Sequence, residues 1–341
     1  MRTIKIINPG LLTTVQDQGR WGYQRYGMSV AGAMDSFATR TANLLVGNDE
    51  NEGVLEATFL GPEILFNCDE VISITGANMQ PKINDVPVPM WTALLVKMGD
   101  KLSFSSAACG IRTYIAFSRG IDVPIIMNSK STFIRGEIGG YEGRKLMKDD
   151  MVPLGNRVLA VSGSYLPSAY IPKYNGDNTI RVVMGPQDDY FENKAIDTFL
   201  NSEYSITSEA DRMGYRLEGP KIQHKDGADI ISDGIVFGSV QVPGHGSPII
   251  MMADRQTTGG YAKIGTVITP DLSKLAQMKP GDKINFKVVS IEESHEIYRE
   301  YEECIKKIKG FIENNRFEFT GIKRLDLRIS GINFNVEIRE L

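Results

Sequence analysis

Two polar stretches studded with glycine hold the residues best suited to chemistry: Thr13-Thr14-Val15-Gln16-Asp17-Gln18-Gly19-Arg20 near the start, and Asp254-Arg255-Gln256-Thr257-Thr258-Gly259-Gly260-Tyr261 late in the chain. Each places a carboxylate, an arginine, an amide and hydroxyls beside glycine, where backbone can approach a ligand closely. Arginine grips a carboxylate or phosphate through a planar fork that lysine does not reproduce. The spacing puts Asp17 and Arg20 close enough to pair across a turn. Taken together, the two stretches are expected to form the halves of one anion-lined site.

Three further segments carry polar chemistry. Gly32-Ala33-Met34-Asp35 ends at a helix start, where the Asp35 carboxylate is stabilised by the helix N-terminal amides, as a cap or as a site residue. Ser129-Lys130-Ser131-Thr132, followed by Gly139-Gly140, suits either an anion contact or an ordinary polar loop. The GxxxxGK[ST] spacing of a phosphate loop is absent. Arg212 and Arg216 lie four apart around Gly214; on a strand both would occupy one face, with Asp211 as an alternative partner for the arginine. His245, between Gly244 and Gly246, offers a general base or a loop filler, and no nucleophile–base spacing supports covalent catalysis.

The elements that must position these residues are mostly strands. Val71–Thr75, Arg112–Phe117 and Thr179–Val183 are short, rich in β-branched or aromatic residues and bounded by Gly, Pro or Asn. The apolar spacing predicts helices over Met34–Leu45, capped by Asp35 or Ser36, and over Phe191–Leu200. Leu60-Gly61-Pro62-Glu63-Ile64 is echoed by Glu218-Gly219-Pro220-Lys221-Ile222, and Met98-Gly99-Asp100-Lys101-Leu102-Ser103-Phe104 by Pro280-Gly281-Asp282-Lys283-Ile284-Asn285-Phe286, in the same order. Two ordered echoes predict a duplicated β-domain. A junction is expected near 162–178, where Ser, Gly, Pro and Asn cluster. Beyond about residue 287, Ile297, Tyr301, Ile305, Ile308 and Ile312 recur at helical spacing, and Leu325–Ile329 and Ile332–Ile338 alternate as a hairpin.

Length and charge bound the function. At 341 residues the chain has room for two domains, and 42% apolar with 23% charged residues is ordinary for a globular protein. A net charge of −4 without basic clusters excludes a nucleic-acid surface. Cys68, Cys109 and Cys304 are odd in number and dispersed, and the three histidines do not cluster, so neither a disulfide framework nor a metal site is expected. With no long apolar run and no signal-like opening, the expected location is cytoplasmic, with no membrane partner.

The stretches TTVQDQGRWGYQRYG (13–27), SKSTF (129–133), GPQDDYF (185–191), ADRMGYRLEG (210–219) and SVQVPGHGSPIIMMADRQTTGGYAKIGTVITPDL (239–272) closely resemble the allophanate hydrolase subunit 2 family, also called the biotin-dependent carboxyltransferase family. The resemblance runs from about residue 4 to 287. It implies a mainly β chain of two tandem cyclophilin-like β-barrels with few short helices: 1–165 and 178–287, plus a C-terminal helix and β-hairpin appendage over 288–341. It also implies a subunit 1 (B-type) partner, a third A-type subunit, and ATP with Mg²⁺ at the level of the complex, opening the lactam 5-oxoproline to glutamate. Carboxyl transfer from carboxybiotin to urea or another amide is the alternative, with biotin arriving in trans because Met278-Lys279-Pro280 is no biotinylation site. A third alternative is a non-catalytic regulator that relieves inhibition of a histidine kinase. Lys130 stands where the family pattern has arginine.

Within that reading Arg20, Arg212 and Arg255 are expected as anion clamps, and Asp17, Asp35 or Asp254 to position water or Mg²⁺. Thr14, Gln16, Gln256 and Thr257 would orient the substrate amide. Ser131, Arg216, Gly259, Gly260 and Tyr261 complete the expected substrate contacts.

Overall fold

The computed structural model describes residues 2–156, 163–174, 176 and 178–315 in full, and the backbone of 321–329 and 332–340. The expected junction lies partly outside the described residues. The strand Glu70–Asn78 shows how sequence becomes layer. Its even residues Ile72 and Ile74 point into the core of the first half. On its odd side Val71 packs under a helix, while the Ser73 and Thr75 hydroxyls donate to the carbonyls of Ala42 and Ala38 on that helix at 2.7 and 2.8 Å. Covered on both faces, the strand reads as a nearly continuous run of buried residues. The helix, α1 (Ser36–Leu45), begins where the Asp35 carboxylate accepts the Ala38 N–H, as its position predicts.

The first half consists of two sheets around one apolar core. One orders its strands Met151–Pro153, Thr3–Asn8, Glu63–Phe66, Lys101–Ser103, Lys82–Ile83, Val86–Pro87; the other Leu12–Gln16, Val54–Thr58, Cys109–Phe117, Glu70–Asn78, Ala93–Val96. The second half is a closed barrel of Thr179–Met184, Lys263–Val267, Ser239–Gln241, Ile249–Met251, Gly214–Glu218, Glu203–Ile206 and Lys283–Val288. Its core is continuous from Ile180 to Phe286 and admits Met34 from the first half. Outside the barrel, Asp229–Gly234 and Thr258–Tyr261 pair as a two-stranded arm.

One echo is a repeated turn. Lys97 N–H donates to the Asp100 carboxylate at 2.7 Å, and Gly99 N–H to the Phe66 carbonyl at 2.8 Å. In the second half Lys279 donates to Asp282 at 2.9 Å, and Gly281 to the Ile206 carbonyl at 2.8 Å. The other echo differs in setting. Gly61-Pro62 leads into Glu63–Phe66, whereas Gly219-Pro220 leaves Gly214–Glu218 with no strand at Ile222.

α2 (Asn193–Asn201) and α3 (Thr269–Leu275) flank the barrel. The expected C-terminal helix is α4 (Ile291–Asn314), opened by a capping box of Ser290 and Glu293. Its Ile305, Ile308 and Ile312 are buried beside α1, as the helical spacing predicts. Arg40 on α1 grips Glu302 through both fork nitrogens, at 2.7 and 2.9 Å. Strands Gly321–Ile329 and Ile332–Glu340 pair antiparallel. No helix among the described residues is long and apolar enough to cross a membrane.

Candidate functional site

The early and late polar stretches meet where the two halves join. Gly19 and Gly32 both adopt positive φ and stack backbone on backbone; a Cβ on Gly32 would lie 2.9 Å from the Gly19 nitrogen. That close approach lets Arg20 N–H reach the Val30 carbonyl at 2.9 Å and Ala33 N–H the Asp17 carbonyl at 2.8 Å. The loop so formed touches the late stretch: the Ser29 hydroxyl donates to the Arg255 carbonyl at 2.7 Å.

Arg212 fastens this junction. Its guanidinium forms a two-pronged pair with Asp254 at 3.0 and 2.8 Å, donates to the Gly32 carbonyl at 2.6 Å, and reaches Glu56 of the first half. All three charged side chains are buried. Burial works against the Arg212 charge, but the Asp254 and Glu56 carboxylates outweigh it and raise the guanidinium above its ordinary value. Glu56 also accepts from Met34 N–H at 2.8 Å and the Tyr114 hydroxyl at 2.9 Å. The alternative partner, Asp211, instead accepts the Met213 and Gly214 amides of its own turn. Arg212 and Arg216 do not share an environment. Only Arg216 lies in the strand Gly214–Glu218, where it is exposed and pairs with Glu209 at 3.3 Å.

The expected Asp17–Arg20 pair does not form. Asp17 accepts the Gly19 N–H at 2.7 Å, the Ser129 hydroxyl at 2.8 Å, the Lys130 N–H at 2.5 Å and the Ser131 hydroxyl. The Ser129–Thr132 stretch does bind an anion, but that anion is the chain's own carboxylate. The Lys130 ammonium pairs with Glu52 and donates to the Ile121 carbonyl at 2.8 Å, so it too faces inward. Arg20 turns to the Ser131 carbonyl, leaving its Nε and Nη1 buried with no partner among the described residues. Burial lowers this guanidinium, and the charges of Asp17 and Asp254 partly offset the effect. Gln16 donates to Thr14 at 3.0 Å and to the Thr132 carbonyl at 3.1 Å, both inside the first half.

Arg255 is buried among carbonyls. It donates to Ile235 at 3.2 Å and Met252 at 3.3 Å and stacks on Phe237. Burial pushes it down to about 10, against the pull of Asp254. Gln256 and Tyr261 are exposed and Thr257 half-buried. Gly259 does not face open space: a Cβ there would meet Ile235 at 2.5 Å and Gln241 at 2.9 Å, so the glycine admits the chain's own wall. Gly260 lies in the same arm strand. His245 is exposed in its turn. Asp35 caps α1 and also accepts Gln277 at 2.8 Å and the Tyr174 hydroxyl at 3.1 Å; burial raises its carboxyl above the ordinary value.

Three side chains of the junction were missed from the sequence. Glu56 sits inside the strand Val54–Thr58, and a lone charge in a buried run was the available signal. Arg112 donates to the Tyr215 hydroxyl at 2.7 Å. Gln277 bridges Asp35 to the Ile111 and Arg112 amides; nothing in its local sequence marks it. Among the described residues no group of three His, Cys, Asp or Glu is placed to hold a metal. The carboxylates expected to hold Mg²⁺ are committed to hydroxyls and amides (Asp17), to a helix start (Asp35) and to Arg212 (Asp254), and the stretch suited to phosphate holds Asp17. These residues do not fit Mg²⁺ or ATP.

A cleft of about 520 Å³ opens at the junction. Gln18, Trp21, Val30, Met34 and Ser36 line it from the first half, Val183, Phe237 and Leu272 from the second, and Ser294, His295 and Tyr298 from α4. Arg212 borders a smaller cleft of about 230 Å³, with Leu11, Phe59 and Tyr215. None of Arg20, Arg212 and Arg255 lines the larger one.

Comparison with known proteins supplies the relatives. The family described as carboxyltransferase domain, subdomain A and B, matches residues 26–288. The chain is 37% identical over 313 residues to the 5-oxoprolinase C subunit of Escherichia coli (strain K12), covering 91% of this chain and 99% of that one. It is 32% identical over 344 residues to urea amidolyase of Saccharomyces cerevisiae, covering 95% of this chain and 18% of that one. The crystal structure of the K. lactis urea amidolyase superposes with a TM-score of 0.86 at 29% identity, over 94% of this chain and 21% of that one. The chain thus spans about a fifth of either urea amidolyase.

Proposed function

We propose that this chain, which belongs to the carboxyltransferase domain family of subdomains A and B, serves as the C-type component of a multi-subunit 5-oxoprolinase. The observation that carries the reading is the match across 99% of the E. coli relative, nearly end to end. A chain of that extent takes part beside a B-type and an A-type subunit. Opening a lactam breaks its C–N bond, and phosphoryl transfer from ATP to the amide oxygen is the expected way to activate the carbonyl carbon. Water adds there, the ring nitrogen leaves, and a second water releases inorganic phosphate. The residues here do not fit ATP or Mg²⁺, so that part of the chemistry is assigned to the other subunits. We further propose that Gln256, Thr257 and Tyr261 are the expected contacts best placed to meet substrate or partner, because each combines a hydrogen-bonding group with full or partial exposure. The division at 1–165, 178–287 and 288–341 belongs to the same reading.

The structural likeness to the K. lactis urea amidolyase favours a second reading, in which the same fold takes a carboxyl group from biotin carried by another protein. The kinase-regulator reading draws no support from these relatives. Co-expression with neighbouring subunits discriminates between the first two. ATP-dependent glutamate release from 5-oxoproline is the expected result; ADP release driven by urea, with no turnover of 5-oxoproline, would transfer the assignment to the carboxyltransferase reading.

A further inference from the structure

We infer that the C-terminal hairpin is a self-association element, joining two copies of this chain edge to edge through the strand Gly321–Ile329. The hairpin lies beyond residues 26–288, the extent of the family match, so the proposed function leaves it without a task. Its ladder runs without a bulge from Gly321 opposite Glu340 to Ile329 opposite Ile332. That register puts Leu325, Leu327, Ile329, Ile332, Phe334 and Val336 on one face. The sheet stops at two strands, and among the described residues no further strand pairs with either outer edge. Two strands with one apolar face are marginal in water; three or more are needed for such a sheet to stand by itself.

The strand's own charges say what pairs with its free edge. Sheet edges are commonly blunted by proline, by bulges or by short length. Gly321–Ile329 has nine residues, no proline and no bulge. Within the hairpin Arg324 lies opposite Glu337, whereas Asp326 and Arg328 lie opposite Asn335 and Asn333, so these two charges are left unmatched. Parallel, in-register stacking of copies would set arginine on arginine and aspartate on aspartate, which is unfavourable. A two-fold antiparallel pairing centred on Leu327 does the reverse. It sets Asp326 opposite Arg328 of the second copy, and Arg328 opposite its Asp326. In the same register Leu325 meets Ile329 of the second copy, so the apolar faces of both hairpins continue as one. Centring on Leu325 would instead set Lys323 opposite Leu327 on that face. The second strand offers no such match: antiparallel pairing about its middle residue, Val336, sets Asn335 opposite Glu337. The charge pattern thus selects a closed, isologous sheet of two hairpins over an open fibre.

Sedimentation equilibrium of the full chain reads the outcome. Association is measured without turnover, so its failure and the failure of the proposed function are separate results. The expected species has twice the mass of one chain and dissociates on dilution. Asp326→Arg and Arg328→Asp each place like charges opposite one another across the two-fold, and each is expected to weaken the dimer about tenfold or more. Because Asn335 and Asn333 are uncharged, neither swap creates a like-charge pair inside the hairpin. The double swap, Asp326→Arg with Arg328→Asp, is expected to restore most of the affinity, which a variant that had merely lost its hairpin would not do. Arg339→Asp on the second strand is expected to leave the dimer unchanged. A monomer at every concentration, open-ended oligomers, or a dimer indifferent to the single swaps would overturn the inference. So would single swaps that the double does not rescue, or an equal loss in Arg339→Asp.

Discussion

Four hydrogen bonds from Arg212 end on Asp254, Glu56 and the Gly32 carbonyl, and each acceptor comes from a different stretch of chain. Asp17 is the counterpart with the charge reversed, an anion enclosed by two hydroxyls and two amides. In both, the bonds that would make a good ligand site are satisfied internally. Removing one member of the Arg212 network leaves a buried charge unpaired, at about 3–5 kcal/mol, whereas removing Asp17 strands buried hydroxyls and amides, at about 1–3 kcal/mol for each left unsatisfied. Asp17→Ala is therefore expected to lower unfolding free energy by that order in urea denaturation. Asp17→Asn should rescue only part of this, because its oxygen can keep the Gly19, Ser129 and Ser131 donors while its amide nitrogen then faces the Lys130 N–H, donor against donor. Wild-type stability in Asp17→Asn would show that the loop holds without its anion.

α4 illustrates how one element is fixed by two different forces. Apolar burial of Ile305, Ile308 and Ile312 holds its second half, and the Arg40–Glu302 fork sets its register on α1. Ile308→Ala removes a fully buried side chain, and such truncations cost about 2–5 kcal/mol. Trp91 senses the docking through Phe37, which lies 6.3 Å from it and 6.2 Å from Tyr301 of α4. The bond from Arg40 holds the Glu302 carboxyl below its ordinary value, with burial opposing. The stabilisation from this pair is accordingly present above the ordinary glutamate value of about 4.3 and is lost as pH falls through the lower folded-state value. Trp91 emission should shift across that acid window in the wild type and not in Glu302→Gln. Identical acid profiles for the two would remove the pair from the docking.

Across the whole molecule, local patterns were legible and long-range partnerships were not. The strands, α1 with its Asp35 cap, and the amphipathic α4 follow from period and capping chemistry within a few residues. The Gly99 and Gly281 turns were readable because turn, aspartate and following strand are contiguous. The convergence of the early and late stretches was also readable, because glycine clusters marked both. What local sequence does not encode is which partner a charge finds once the halves join. Asp17 lies three residues from Arg20 yet turns to a stretch more than a hundred residues away, and Arg212 passes over Asp211 for Asp254. Glycine misled in the same way at Gly259, whose space is filled by the chain itself rather than left for a ligand.

Whether Arg212 joins the two halves or grips substrate is decided by denaturation of Arg212→Ala alongside a shape-matched neutral triple, Glu56→Gln with Arg212→Met and Asp254→Asn. A joining role predicts a loss of about 3–5 kcal/mol in the single variant and recovery of most of it in the triple. A single variant within about 0.5 kcal/mol of wild type, whose assembled complex instead shows a raised KM for 5-oxoproline, would contradict it.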